Sequence, residues 1–324
     1  MNATRLVHVG SAVVDYVYRI DALPTPGEDK IADAYDQVIG GGFNMMAAAA
    51  RTGAKVVFGG QHGTGPIGDF LRQALATEGI EVLVPQAPDR DTGNCVVLVT
   101  ADAERTFVSI AGAEGFLTPA SLAPVKPKAG DWVFTSGYTL TYPGSREVLT
   151  DWIAALPADV HFVLDPTSVV AGIPRNLLAR VLKRTNWLSC NTYEAGVIAG
   201  QATVEENTAS LLSDYCPNAA GVVIRQGERG CHVRLADGAA RHIPAFTVSA
   251  IDTNGAGDTH VGTFVSALSR GADPFEAARY ANAAAAISVT RHGGSSAPTH
   301  AEIETFLSRV GAPAPGIRNE KANA

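Results

Sequence analysis

The chain has 324 residues, of which 46% are hydrophobic and 18% are charged, and its formal net charge is −7 at pH 7. This composition is typical of a folded globular protein and excludes disorder over most of the length. An acidic protein is not attracted to phosphate backbones or anionic lipids, so a small-molecule ligand is favoured over nucleic acid or a membrane.

Short apolar segments that favour strands alternate along the chain with segments that favour helices. Several of the predicted strands are apolar on both faces, which is typical of a parallel sheet covered by helices on two sides. The predicted strands are 5–10, 55–60, 81–85, 131–137, 160–166, 187–191 and 220–227. The predicted helices are 43–53, 67–79, 145–156 and 174–185. The sequence therefore predicts a doubly wound α/β fold with a mostly parallel sheet flanked by helices.

One region interrupts this alternation, because residues 93–112 contain two strand-like runs around the polar turn ADAER. This pattern predicts a hairpin, which has no place inside a parallel sheet. We expect a separate small antiparallel sheet, formed roughly by 12–40 and 92–112, that acts as a lid. Core and lid would form one domain over 1–310, and the Pro- and Gly-rich tail 311–324 is expected to be flexible.

The four cysteines lie far apart without a C-x-x-C pair, which indicates neither a zinc cluster nor a disulfide framework. The N-terminal stretch MNATRLVHVG lacks the basic and apolar parts of a secretory signal. No apolar run reaches the roughly 18 residues that a membrane-spanning helix needs. We therefore expect a cytoplasmic protein.

The segment DTNGAGD at 252–258 follows a predicted extended run that ends at Ile251 and precedes a helical pattern. Its small residues allow a sharp turn that exposes consecutive N–H groups at a helix start, where the helix dipole also favours an anion. A carboxylate at Asp258 would repel a resting anion, which suggests a group that accepts a proton while negative charge develops beside it. Taken alone, Asp258 could equally be a helix cap.

Two other glycine-rich stretches are candidate ligand loops. GTGPIG at 63–68 matches the dinucleotide pattern G-x-G-x-x-G, but no acid ends the following strand and Pro66 removes an N–H group, so a structural turn is favoured over a nicotinamide site. GGGFN at 40–44 lets a ligand approach the main chain, and Asn44 can bind hydroxyls or cap a helix. Asp15, which follows the first strand, could accept hydrogen bonds from two vicinal hydroxyls or lie solvated on the lid.

In this order the motifs resemble those of the ribokinase-like (PfkB) family of carbohydrate and nucleoside kinases, from about Arg5 to Leu307. The most specific part is DTNGAGD, which is similar to the family's D-T-x-G-A-G-D. The further matching motifs are GSAVVD (10–15), NTYE (191–194), VVIRQGERG (222–230) and ANAAAAISVTRHGGSSAPT (281–299). Five ordered motifs outweigh the reading of Asp258 as a simple cap.

The resemblance implies transfer of the γ-phosphoryl group of ATP to a hydroxyl, a reaction that depends on positioning and charge neutralisation. It assigns general-base catalysis to Asp258 and stabilisation of the transferring phosphoryl to the N–H groups at Gly255, Ala256 and Gly257. It assigns sugar binding to Asp15, Gly41 and Asn44, and nucleotide binding to Asn191, Glu194, Arg225, Gly227 and Asn282. It implies Mg²⁺ held by Glu194 through water, and it makes Asp252 a candidate ligand for K⁺, whose requirement the sequence leaves open.

The chain departs from the family pattern at three places. Ile39 stands where the first glycine of the sugar loop would fall. Arg225 replaces a threonine that often contacts phosphate, and it could contact phosphate with more charge or pair with Glu228. His260 replaces an aromatic residue and is expected to be a packed helix histidine.

The leading hypothesis is an ATP-dependent kinase that phosphorylates a hydroxyl, expected to be primary, of a small sugar. A nucleoside kinase of the same fold stays open, because a nucleoside needs an aromatic or apolar slot. The aromatic residues that could form such a slot, or merely the lid core, are Phe43, Tyr16, Tyr18, Phe107 and Phe116. A non-catalytic ligand sensor is the alternative of another class, and the intact base argues against it. A homodimer that pairs lid edges would cover an exposed sheet edge.

Overall fold

A computed structural model of the protein describes residues 4–102 and 104–310, so the tail 311–324, predicted to be flexible, lies outside the described residues. The strands are β1 (Arg5–His8), β2 (Ala12–Arg19), β3 (Ala34–Gly41), β4 (Lys55–Phe58), β5 (Glu81–Val82), β6 (Asn94–Val99), β7 (Arg105–Ile110), β8 (Trp132–Ser136), β9 (His161–Asp165), β10 (Trp187–Asn191), β11 (Gly221–Arg225), β12 (Cys231–Leu235) and β13 (Ala240–Ile243). The α-helices are α1 (Gly42–Arg51), α2 (Pro66–Thr77), α3 (Pro119–Leu122), α4 (Gly137–Thr141), α5 (Arg146–Ala154), α6 (Arg175–Arg184), α7 (Thr192–Ala199), α8 (Val204–Ser210), α9 (Ala256–Ser269), α10 (Pro274–Ser288) and α11 (His300–Val310). Among these helices, none is both long and apolar enough to cross a membrane.

The main sheet has nine strands in the order β13-β12-β11-β10-β9-β8-β1-β4-β5. Pairing is parallel from β11 to β5, and β12 and β13 add an antiparallel edge. Successive side chains of a strand point to opposite faces. Leu6 accordingly packs in one hydrophobic cluster with α1, α2, α9 and α10, and Val7 packs in another with α5, α6 and α7. The prediction of a doubly wound, mostly parallel sheet is confirmed.

The winding of the sheet reverses at β1, which pairs with β4 on one side and with β8 on the other. The chain first builds outward through β4 and β5, and only later through β8, β9, β10 and β11. In sheets of this kind ligands bind in the crevice beyond the carboxyl ends of the strands where the order reverses. The fold therefore directs attention to the ends of β1 and β8.

The extended run predicted before DTNGAGD does not pair as a strand in the structure. The last strand, β13, ends at Ile243, and residues 244–250 form no regular element. Pro244 follows the strand directly, and the side-chain amide of Asn282 donates to the carbonyl oxygens of Ile243 and Pro244 at 3.0 and 3.1 Å. A side chain therefore satisfies main-chain groups here that a neighbouring strand would otherwise satisfy.

A second sheet of four strands, in the order β3-β2-β6-β7, confirms the predicted lid. The hairpins β2–β3 and β6–β7 are antiparallel, as expected, whereas the pairing of β2 with β6 that joins them is parallel. The join can be parallel because the two hairpins come from distant parts of the chain. Whether core and lid behave as one domain over 1–310 stays a prediction.

Candidate active site

The loop before α9 has a conformation that depends on glycine. Gly255 has φ 70°, in the left-handed region, and a Cβ atom there would overlap the carbonyl oxygen of Gly294. Helix α9 begins at the next residue, and among the described residues no side chain caps it. In this first turn the N–H of Ala256 donates to the carbonyl oxygen of Thr253 at 3.3 Å, whereas the N–H of Gly257 lies at the uncapped helix end, which is a favourable place for an anion.

Asp258 lies in this first turn but does not cap the helix. Its Oδ2 instead accepts a hydrogen bond of 3.3 Å from Nδ2 of Asn44 in α1. Burial raises the pKa of Asp258 to about 7, and the carboxylate of Asp165 adds to this effect, while Asn44 and Arg225 oppose it. A carboxylate with such a pKa can accept a proton near neutral pH, as a general base must.

Asp15 and the glycine loop lie beside this carboxylate. Asp15 belongs to the lid strand β2, and its side chain packs so closely on Gly40 that a Cβ atom at Gly40 would overlap it. Burial raises the pKa of Asp15 to about 6, and its charge contributes to the raised pKa of Asp258. Gly41, with φ 62°, precedes α1 and so places Asn44 in the first turn of that helix. The structure thus brings the predicted sugar residues together with the predicted base.

A buried ion-pair cluster flanks the other side of the α9 turn. Nη1 of Arg225 lies 2.9 Å from Oδ2 of Asp165 and donates to Oγ of Ser189 at 2.8 Å. Its Nη2 lies 3.5 Å from Oε2 of Glu194. These partners replace Glu228, the pairing that the sequence analysis left open. The guanidinium also lies close to Gly257, whose ideal Cβ position is 3.8 Å from Nε and Nη2.

Asn191 and Glu194 form a capping box at the start of α7. Oδ1 of Asn191 accepts from the N–H of Glu194 at 2.9 Å, and Oε2 of Glu194 accepts from the N–H of Asn191 at 2.7 Å. Glu194 is not an exposed cap residue, since it is only 3% exposed. Burial first, and the charge of Asp165 second, raise the pKa of Glu194 to about 7. Two carboxylates therefore share one guanidinium at the ends of β9, β10 and β11.

The remaining predicted nucleotide residues lie farther along the same edge. Gly227 has φ 59° in the turn after β11, with open space where a side chain would be. Asn282 in α10 holds the segment after β13 and contacts Nε2 of His260 at 3.1 Å. Their roles in nucleotide binding stay predictions. His260 is buried and stacks on Phe264 with ring centroids 6.3 Å apart, so the expectation of a packed helix histidine is confirmed.

Asp252, the candidate potassium ligand, already has several protein partners. Its Oδ1 lies 2.6 Å from Nη2 of Arg105 in the lid strand β7 and accepts from the N–H of Asn254 at 2.8 Å. Its Oδ2 accepts from the N–H of Gly293 at 3.1 Å. A potassium ion at this place would therefore need further oxygen ligands, such as main-chain carbonyl oxygens.

The glycine pattern at 63–68 is a structural turn in this protein. The carboxylate of Asp91 accepts from the N–H groups of Ile67 and Gly68 at 3.0 and 2.8 Å. Because a carboxylate of the chain itself occupies the start of α2, this helix end has no open donors for a pyrophosphate. The geometry agrees with the preference for a turn over a nicotinamide site.

Sequence reasoning missed two residues of the crevice, Asp165 and Tyr138. Burial raises the pKa of Tyr138, and the carboxylates of Asp258, Asp165 and Asp15 raise it further, so the phenol lies near all three acids. Tyr138 follows strand β8, and Asp165 is the last residue of strand β9. The rule that ligands bind at the carboxyl ends of parallel strands could have identified both positions.

Comparisons with known proteins identify the family of this chain. A family model described as pfkB family carbohydrate kinase matches residues 3–301. The chain is 32% identical over 297 residues to the sugar kinase YegV of Escherichia coli, with 91% of each chain covered. It is 33% identical over 310 residues to the ribokinase of Haemophilus influenzae, covering 93% of this chain and 98% of that protein.

A solved structure, that of Arabidopsis thaliana ribokinase complexed with ribose and ATP, matches with a TM-score of 0.76 at 23% identity. The match covers 94% of this chain and 99% of that chain, so the whole fold is shared and not only one motif. The order of strands and the separate lid agree with the shared fold, and the family match identifies this protein as a phosphotransferase. It belongs to the pfkB family of carbohydrate kinases.

Proposed function

We propose that this protein transfers the γ-phosphoryl group of ATP to a primary hydroxyl of an uncharged sugar, with Asp258 as the general base. The observation that carries the proposal is the first turn of α9. It presents the uncapped N–H of Gly257 and, one residue later, a carboxylate whose pKa burial raises to about 7. A proton acceptor and donors for developing negative charge therefore lie within one helical turn.

In this proposal Asp15 and Asn44 hold the sugar hydroxyls so that one hydroxyl points at Asp258. Asp258 accepts the hydroxyl proton as the oxygen attacks the γ-phosphorus, while the bond from the γ-phosphorus to the bridging oxygen breaks and ADP leaves. The N–H groups from Gly255 to Gly257 bind the transferring phosphoryl, which for Ala256 replaces its hydrogen bond of 3.3 Å to Thr253. The guanidinium of Arg225, beside Gly257, supplies positive charge on the nucleotide side. Gly227 and Asn282 lie along the nucleotide.

The residues around Glu194 fit a magnesium ion that is bound largely through water. Mg²⁺ prefers oxygen ligands and keeps several waters, and the carboxylates of Glu194 and Asp165, which pair with Arg225, would accept hydrogen bonds from those waters. When bound, the ion would neutralise charge on the ATP phosphates. Asn191 orients Glu194 through the hydrogen bonds of the capping box.

The charge of the crevice favours an uncharged acceptor over a sugar phosphate or a sugar acid. The part of the crevice that would hold the acceptor carries the carboxyl groups of Asp15 and Asp258. Burial is the main cause that raises the pKa of both groups. An anionic acceptor would be repelled by these carboxylates. A nucleoside has weaker support than a sugar, because Tyr16 and Tyr18 pack against Tyr35 and so do not form an open slot.

The experiment is an ATP-turnover assay over a panel of sugars, sugar phosphates and nucleosides, with the product identified by mass. We expect turnover with an uncharged sugar, and a loss on the order of a hundredfold or more in Asp258→Asn. Unchanged turnover in the variant would refute the base assignment. Preferential turnover of a nucleoside would favour the second candidate, and ligand binding by calorimetry without product would favour a sensor.

The lid supports a further part of the proposal, a homodimer formed through β7. In this edge strand Phe107, Val108 and Ile110 are 56, 63 and 65% exposed to solvent. An exposed apolar sheet edge is usually covered in the native assembly. Light scattering should show a dimer that Val108→Lys weakens, and a monomeric wild type at all concentrations would exclude it.

A further inference from the structure

The lid contacts the loop at residues 252–258 through one ion pair. Arg105 is the first residue of β7, and its Nη2 lies 2.6 Å from Oδ1 of Asp252, the first residue of DTNGAGD. The two side chains are 22% and 7% exposed, so the contact is largely shielded from solvent. Within the described part of the chain, no other ion pair joins a lid strand to residues 252–258.

Asp252 also connects the parts of the loop to one another. The same carboxylate accepts from the N–H groups of Asn254 and Gly293, and the N–H of Asp252 binds the carbonyl oxygen of Val289. Gly255 in turn packs directly on the main chain of Gly294. One carboxylate thus joins the lid, the loop that starts α9 and the turn after α10.

The electrostatics of Asp252 depend on the lid. The Asp252 carboxylate is only 7% exposed, and its one charged partner among the described residues is Arg105, beside the main-chain donors of Asn254 and Gly293. If the lid moved away, the carboxylate would lose its guanidinium partner and keep only main-chain donors. A shielded charge that loses its partner is unfavourable, so the loop would be expected to rearrange.

We propose that the Arg105–Asp252 ion pair is a latch through which lid closure fixes the geometry of the 252–258 loop. Arg105 is then a positioning residue for phosphoryl transfer, although it belongs to the lid. The inference rests on the proposed function for its catalytic consequence, but the coupling of lid and loop can be measured without turnover. A coupling of this kind changes an equilibrium by about 5- to 150-fold.

The test compares Arg105→Ala with wild type by amide hydrogen exchange and by kinetics. We expect faster exchange at residues 254–258, and a kcat lowered about 5- to 150-fold with a smaller change in the KM for ATP. Guanidinium ion at sub-denaturing concentration should restore part of the kcat. The matched control is Arg19→Ala, because Arg19 pairs with Asp36 inside the lid. This control should leave both measurements near wild type.

A second variant keeps the test decisive if Arg105→Ala does not fold. Asp252→Asn removes the charge and keeps an oxygen acceptor for Asn254 but not for Gly293, so exchange and kcat should change at least as much as in Arg105→Ala, without rescue by guanidinium. The double variant should be no worse than Asp252→Asn alone. Wild-type exchange at 254–258 in the folded variants would overturn the latch. A wild type without turnover would instead contradict the proposed function, and the exchange data would still decide the latch.

Discussion

Asn44 donates a hydrogen bond of 3.3 Å to the carboxylate of Asp258 across 214 positions of sequence. This contact joins the glycine loop at the start of α1 to the first turn of α9. It orients the predicted base and, because the amide donor stabilises the ionised form, opposes the rise that burial causes in its pKa. Each prediction below tests one feature of the crevice built around this pair.

Removal of the Asn44 amide should move the pH dependence of catalysis. Because the hydrogen bond from Asn44 lowers the pKa of Asp258, we expect Asn44→Leu to raise this pKa above about 7. The acid limb of the kcat profile would then shift to higher pH, so that the variant loses more activity at pH 6.5 than at pH 8.5. The control is Asn218→Ala, an exposed asparagine outside the crevice. An acid limb at the wild-type position would contradict the role of Asn44.

Two aspartates of the same crevice should affect stability in opposite directions. The folded protein binds the Asp258 proton more tightly than the unfolded chain does, so the free energy of unfolding falls as pH rises from about 4 to about 7. At pH 8, Asp258→Asn removes this penalty and should raise the Tm by about 2 °C or more. Asp165→Asn should instead destabilise by about 1–3 kcal/mol, because Arg225 loses a charged acceptor. Thermal unfolding of both variants checks this, and a lower Tm in Asp258→Asn would refute it.

The guanidinium of Arg225 should matter through both its charge and its shape. We expect Arg225→Lys to lose at least tenfold in kcat, because an ammonium cannot contact Asp165, Glu194 and an incoming phosphate with the same planar fork. Glu228→Gln is the matched control, since Arg225 pairs with Asp165 and Glu194 instead. Steady-state kinetics on folded variants decide the matter. A larger loss of kcat in Glu228→Gln than in Arg225→Lys would contradict this role of Arg225 in catalysis.

The conformation at Gly255 should be essential for the site. Gly255→Ala combines a positive φ with a Cβ atom that would overlap the carbonyl oxygen of Gly294. Displacing the reacting groups by about 1 Å can cost on the order of a hundredfold in rate, and we expect a loss of that size. Gly271→Ala is the matched control, because Gly271 also has a positive φ but has open space around it. Near-normal kcat in Gly255→Ala would show that the loop tolerates a side chain.

The pattern of apolar residues was sufficient to predict most of the core. Strands β1, β4, β8, β9, β10 and β11 are buried on both faces, and such segments are recognisable without tertiary information. The edge strands β12 and β13 were missed. Strand β13 has a polar sequence without a strong period, and it pairs only with β12. The segment 244–250 looked extended because it is apolar, but a side chain of α10 holds its start instead of a strand.

The sequence by itself determined most strands of the main sheet, a hairpin of the lid and the motif that places a carboxylate after a glycine turn, because each of these depends on residues close together in the chain. Only the tertiary structure decided the partners of the charged groups: Asp165 for Arg225, and Arg105 for Asp252. Burial and neighbouring charges set the pKa of Asp258, and both arise when segments far apart in sequence pack against each other. No local pattern records which distant side chain will meet a given carboxylate.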